Sequence, residues 1–182
     1  MSSPKNVERV NPGVRRAAKE AVAAKSTNTK VARGVKLFNF RTKLRTARLG
    51  ERVKIEREGV PHEIVQLLLK RTGVSSGEFI RIVNMPKATF TKKMRDQTRI
   101  AGTPGQSVVG FLDLINQVED MLAAEEDNPE AKGFDVEKWV GEWIQKPQPA
   151  LGGMKPAELM DTPSGRESVK SVLGAIQSGT YQ

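Results

Sequence analysis

The stretch from Gly102 to Ala123, GTPGQSVVGFLDLINQVEDMLA, sets Val108, Phe111, Leu112, Ile115, Val118 and Leu122 three or four residues apart. A helix with 3.6 residues per turn gathers such positions onto one face, whereas a strand, with its period of two, scatters them. The same spacing returns in shorter segments. Ile64, Leu67, Leu68 and Arg71 repeat it in PHEIVQLLLKRTG, and Phe79, Ile82 and Val83 in SSGEFIRIVNM. FDVEKWVGEWIQKP carries Phe134, Val136, Trp139, Val140, Trp143 and Ile144, and TPSGRESVKSVLGAIQSG carries Val169, Val172, Leu173 and Ile176. No strand-like alternation of useful length occurs. The chain is therefore predicted to be all-α, with about seven helices.

Local signals place several helix ends. Gly73 suits a left-handed C′ position. Ser75 with Glu78, and Ser164 with Glu167, have capping-box spacing. Thr103 is expected as a cap with Pro104 just inside, and Pro86 in the first turn of PKATFTKKMRDQ, where its missing N–H is not needed. GERVKIEREGV, anchored by Val53 and Ile55, fits a short helix or a strand.

Charge divides the chain unevenly. Residues 1–60 hold 16 Lys and Arg against 5 Asp and Glu, residues 61–100 hold 8 against 3, and residues 101–182 hold 6 against 13, for a net charge of +9. Such asymmetry points to a polyanion, foremost a nucleic acid, as the partner of the first half, with an unevenly charged solvated surface or an anionic membrane as the alternatives on charge alone. Residues 1–35 contain almost no large apolar side chain and read as a mobile basic arm. Arg15, Arg16, Lys19, Lys25, Lys30, Arg33, Lys36, Arg41, Lys43, Arg45 and Arg48 would track phosphates along it. A solubilising tail is the plainer reading.

Between Gly73 and Gln97 a capped helix, a break at Asn84–Met85 and a second helix form a helix-turn-helix pattern. With Phe90 at the centre of the buried edge and Met94 beside it, steps of 100° place Ala88, Lys92, Arg95 and Arg99 on the opposite side. Lys87 and Lys93 lie on the flanks and Thr91 between them. Arg and Lys pair with guanine, while Ala or a Thr methyl touches the thymine methyl. Flanking Lys would meet phosphates. A solvated basic helix is the alternative.

Catalytic chemistry finds little support. Cys is absent and His62 is the sole histidine, so neither a thiolate site nor a Cys/His nucleophile set can be assembled, and no cofactor or metal is expected. LGGMKP lacks the G-K-[ST] ending of a phosphate loop. Carboxylates at 113–142 fall on solvent-facing helix positions, and Trp139 and Trp143 read as core. No apolar run approaches a membrane span, and the first residues lack a signal-peptide core, so a cytoplasmic protein without membrane partners is expected.

The chain's ending carries a longer motif. Trp143–Ile144 and Pro147 precede Pro149, Ala150, Leu151, Gly152, Gly153, Pro156, Leu159, Asp161, Thr162, Gly165, Val169, Leu173, Ile176 and Gly179. This series strongly resembles the C-terminal toxin-binding domain of Xre/MbcA/ParS-type antitoxins, and residues 60–120 resemble that family's Xre-type helix-turn-helix. The likeness runs from about Gly50 to Tyr181. A basic extension over 1–49 and an insertion-like EEDNPEAKG depart from it. Three parts are therefore expected: a basic, partly disordered extension (1–49) outside the likeness, and, as the resemblance implies, a helix-turn-helix DNA-binding domain (50–126) and a small helical toxin-binding domain (127–182). It implies an antitoxin of a RES-domain toxin that acts on NAD. The toxin-facing residues would be Leu151, Gly152, Gly153, Lys155, Arg166, Ser178, Gly179, Thr180, Tyr181 and Gln182, with the tail blocking the toxin's active-site cleft. Leu151, Leu159 and Leu173 also suit the domain's own core. A homodimer that represses its own operon on double-stranded operator DNA would use the cationic half. A stand-alone helix-turn-helix regulator without a toxin, or an RNA-binding or nucleoid scaffold protein, are the competing classes.

Overall fold

A computed structural model describes residues 36–124 and 133–177. The chain divides into two units, Met1–Lys36 and Leu37–Gln182. Helix α1 is described over residues 36–46, followed by α2 (Leu49–Glu58), α3 (His62–Thr72), α4 (Ser76–Ile82), α5 (Lys87–Arg95) and α6 (Gly102–Ala123). Then come α7 (Val136–Trp143), two 3-10 turns (Pro149–Leu151 and Pro156–Glu158) and α8 (Pro163–Gln177). No strand occurs among the described residues, and the all-α expectation holds.

Helix α6 is the axis of the unit. It packs against α2, α7 and α8. Being covered on several sides, it buries Val109 and Leu114 in addition to the expected stripe of Val108, Phe111, Leu112, Ile115 and Val118. Leu122 is half-buried. Helix α7 lies against α3 closely enough that a Cβ on Gly141 would stand 2.1 Å from the Thr72 carbonyl oxygen. An isolated antiparallel bridge between Val60 and Ile100 ties the chain before α3 to the chain after α5, with N–H···O distances of 2.8 and 2.9 Å. Gly59, at φ 79°, is required there, because a Cβ would meet the Ile100 carbonyl oxygen at 2.3 Å.

Several local expectations stand. Gly73 adopts φ 71° and its N–H reaches the Leu69 carbonyl. Ser75 and Glu78 form both halves of the capping box. The ambiguous GERVKIEREGV is helix α2, with Ile55 buried. Others need correction. Pro163 opens α8, so Thr162 rather than Ser164 caps it, its Oγ1 accepting from the Gly165 N–H at 3.1 Å. Helix α6 begins at Gly102 with no side-chain cap, which places Thr103 inside it. Pro86 sits at the cap position of α5, one residue earlier than expected.

The larger correction concerns the basic extension. Residues 37–49 belong to the second unit, where Leu37 and Leu44 are each 1% exposed. Arg41 is buried too. Its Nη2 donates to Glu119 of α6 and its Nη1 to Glu137 of α7 at 3.2 Å. Arg71 of α3 holds the other Glu137 oxygen at 2.6 and 2.8 Å, and Arg45 pairs with Asp120 at 2.9 Å. On α2, Arg52 grips Asp113, which also meets Lys170 at 3.4 Å. Asp113, Glu119 and Glu137 are therefore ion-paired and partly buried, while Asp120 and Glu142 face solvent as expected. Arg41 is taken up inside the fold, while Arg45 stays exposed with an ion-pair partner on α6.

Candidate functional site

The helix-turn-helix is built as the periodicity requires. Phe79 of α4 and Phe90 of α5 face each other with ring centroids 5.7 Å apart and planes tilted by 54°. Between the helices Asn84 takes φ 48°, a left-handed conformation that Asn tolerates better than most residues. The Met85 N–H then bonds the Ile80 carbonyl at 3.0 Å and its side chain is buried. These contacts seat α5 by one edge and leave Lys87, Ala88, Thr91, Lys92 and Arg95 exposed on it.

Three cations of this group have local partners. Arg95 Nε reaches Asp96 at 2.9 Å, and that guanidinium holds the Asp96 carboxyl below its ordinary value. Lys93 is half-buried, its Nζ donating to the Arg99 carbonyl at 2.9 Å. Arg99 itself does not continue the outward line of α5. The helix stops at Arg95, Gln97 turns the chain at φ 54°, and Arg99 Nη1 folds back onto the Gly59 carbonyl at 2.8 Å. The 100° step fails past the helix end.

The C-terminal candidates separate into two sets. Gly152 and Gly153 are exposed at φ 66° and 81°, and an added Cβ would find nothing within 4 Å at either, so the turn uses glycine for its left-handed backbone and leaves its outer side open. Lys155 is exposed beside them. Leu151, however, is 7% exposed and belongs to the core with Leu173, while Leu159 is half-buried. Arg166 turns inward. Its Nη1 donates to the Met160 carbonyl at 3.0 Å, its stem lies against Gly110 of α6, and burial lowers its pKa. It ties α8 to α6 and is half-buried. Ser178, Gly179, Thr180, Tyr181 and Gln182 lie outside the described residues.

One contact had no sequence signal. Asn84, in the turn of the helix-turn-helix, donates from Nδ2 to Asp161 Oδ2 at 3.1 Å, and α4 packs on the Pro156–Glu158 turn. The DNA-reading candidates and the C-terminal segment thus share one folded unit. Among the described residues no group of three His, Cys, Asp or Glu is arranged to hold a metal ion. No described helix is long and apolar enough to cross a membrane.

Comparison with known proteins bears on both ends of this surface. Residues 134–179 match the family described as Antitoxin Xre/MbcA/ParS C-terminal toxin-binding domain. Over 131 residues the chain is 30% identical to the Prs ADP-ribosylating antitoxin of Sphingobium sp. (strain YBL2), an alignment spanning 72% of this chain and 80% of that protein. Over 122 residues it is 21% identical to Antitoxin Xre of Photorhabdus laumondii, spanning 67% of this chain and 75% of that one. Both alignments are far longer than the 134–179 segment, so the likeness includes helices that precede it. The chain belongs to the Xre/MbcA/ParS antitoxin family and is an antitoxin of a toxin–antitoxin system.

Proposed function

We propose that this antitoxin neutralises a RES-domain toxin that acts on NAD, by laying residues 178–182 across the toxin's active-site cleft, and that it represses its own operon through α5. The toxin's chemistry is supported by the Sphingobium relative, whose name joins antitoxin to ADP-ribosylation. In the sequence, residues 178–182 directly follow the described end of α8 at Gln177, and the toxin-binding match runs to residue 179, which supports that reading. The observation that carries the DNA half is the exposed line of Lys87, Ala88, Thr91, Lys92 and Arg95 on a helix seated by Phe90.

A homodimer reading an inverted repeat gives two such helices half-sites about one helical turn apart. Within each, Lys92 and Arg95 offer donors to guanine edges, and Lys87 and Lys93 flank them toward phosphates. Residues 1–35, with eight Lys and Arg against two Glu, add sequence-independent affinity.

Two experiments test the halves separately. In a gel shift on the DNA upstream of the gene, Lys92→Ala/Arg95→Ala should lose operator preference while melting like the parent. Undiminished specific binding would remove α5 from the role. Deleting residues 178–182 should abolish protection from the co-expressed toxin and leave operator binding intact. Survival of protection would end the occlusion mechanism.

A further inference from the structure

The turn of the helix-turn-helix is tethered to the C-terminal segment. Asn84 holds φ 48°, a conformation that glycine enters more readily, but glycine has no side-chain amide to offer. From that turn Asn84 Nδ2 donates to Asp161 Oδ2 at 3.1 Å, across 77 residues of chain. The receiving end is firmly held. Met160, the residue before it, is fully buried, and its carbonyl accepts from Arg166 Nη1 at 3.0 Å. Thr162, the residue after it, accepts from the Gly165 N–H at 3.1 Å, and a Cβ on Gly165 would stand 2.0 Å from the Leu159 carbonyl oxygen. The start of α8 is thus packed closely on the end of the Pro156–Glu158 turn, and α4 packs on that same turn. Asp161 stands between two pinned residues as a fixed post.

Helix α5, by contrast, is lightly held. Phe90 is its one buried residue, and Lys93 and Met94 are half-buried. A helix seated by one ring can pivot about it. Met85 anchors the start of the helix by burial, and the Asn84–Asp161 bond adds a tether from outside the helix-turn-helix. Lys87, the first residue of α5, follows Asn84 by three. Recognition helices meet base edges with their N-terminal residues, so a shift at this turn moves the reading residues first. We propose that Asp161 is a positioning residue for operator recognition, fixing through Asn84 the angle at which α5 enters the major groove. This rests on the reading of α5 as the DNA-binding helix. It gives the segment described as toxin-binding a second task, in the DNA half of the molecule.

The test uses the full chain, a duplex of the DNA upstream of the gene and a scrambled duplex of equal length, with Kd read by fluorescence anisotropy. Asp161→Ala removes the acceptor. The preference for operator over scrambled duplex should fall about three- to tenfold, the span of one hydrogen bond. The scrambled Kd and its salt slope should hold, because phosphate contacts do not pass through this pair. Asn84→Gly keeps the turn's φ and loses the amide. It should match Asp161→Ala, and the two together should lose no more than either alone. Asn84→Asp sets two carboxylates face to face and should lose more. Adding Asp161→Asn to it exchanges donor and acceptor, and the preference should return to within about twofold of the parent. A pair that only stabilised the fold would lower Tm and weaken both duplexes alike, and that result would overturn the proposal. An unchanged preference in Asp161→Ala, or an exchange that restores nothing, would do the same. Lys92→Ala/Arg95→Ala in the same assay separates the two readings. If it loses operator preference while Asp161→Ala keeps it, the positioning role falls and the α5 reading stands; if it keeps the preference, both fall.

Discussion

Replacing Arg41 by Met separates the two roles that a cation near the N-terminus can have. The Arg41 side chain is 2% exposed and joins α1 to Glu119 on α6 and Glu137 on α7. Removing one member of a buried charge cluster costs about 3–5 kcal/mol when the remaining charge is left alone. Neither glutamate is left alone here. Glu137 keeps Arg71 at 2.6 Å, and Glu119 keeps Arg45 at 3.7 Å, both through partly exposed arginines. Arg41 Nε has no hydrogen-bond partner, and Met removes that buried donor, a relief of about 1 kcal/mol. The net loss is about 2 kcal/mol, or a fall in Tm of about 4–8 °C for a chain of this size. Differential scanning calorimetry reads it. Adding Glu119→Gln should recover part of the loss, since one fewer carboxylate then wants a cation. Operator affinity and its salt slope should not move. A variant that melts like the parent but loses salt-dependent DNA binding would return Arg41 to the phosphate-tracking arm and refute the clasp.

Gly141→Ala drives a Cβ to 2.1 Å from the backbone carbonyl of Thr72, which cannot swing aside, so overpacking should outweigh the gain in helix propensity and lower stability by about 1–2 kcal/mol. The paired substitution Gly77→Ala, with only Ser75 Oγ at 4.0 Å, should be neutral or stabilising in the same melt. Truncating residues 1–35 should reduce the slope of log K against log salt for operator DNA by about 3–4 if half of the eight cations meet phosphates, as read by titration across salt. An unchanged slope would show the arm to be free of the DNA. Hydrogen bonds from the Ser75 hydroxyl and N–H hold the Glu78 carboxyl below its usual pKa. The stability this contributes is present at neutral pH and lost as pH falls through that lowered value. Glu78→Gln should flatten that part of the acid-unfolding profile, and an unchanged profile would remove the linkage.

The sequence carried the local terms of the fold well and the long-range ones poorly. Helices α3, α4, α6 and α8 announce themselves by spacing, and Gly73 and Ser75 by position, because each signal acts within a few residues. At α8 two local signals competed. The box Ser164–Glu167 was overridden by Pro163, whose missing N–H fits the first helical position and hands the cap to Thr162. Arg99 was misplaced because angular arithmetic assumes a helix that continues, and nothing in the letters marks the left-handed turn at Gln97.

Charge shows most clearly what composition conceals. Counted by halves, the chain looks like a cationic arm joined to an acidic body, as if each half met its own partner. In the fold, Asp113, Glu119, Asp120 and Glu137 neutralise Arg52, Arg41, Arg45 and Arg71, partners up to 96 residues away. An internal pair and a phosphate contact use the same arginine, so sequence cannot tell them apart; only the opposing carboxylate can. With Arg41, Arg45, Arg52 and Arg71 paired internally, the proposed DNA contacts draw on residues 1–35 and on Lys87, Lys92 and Arg95 of α5. In the proposed DNA reading, residues 1–35 serve affinity and the outer line of α5 serves register. Losing the arm should weaken all duplexes alike, and losing Lys92 and Arg95 should weaken the operator most.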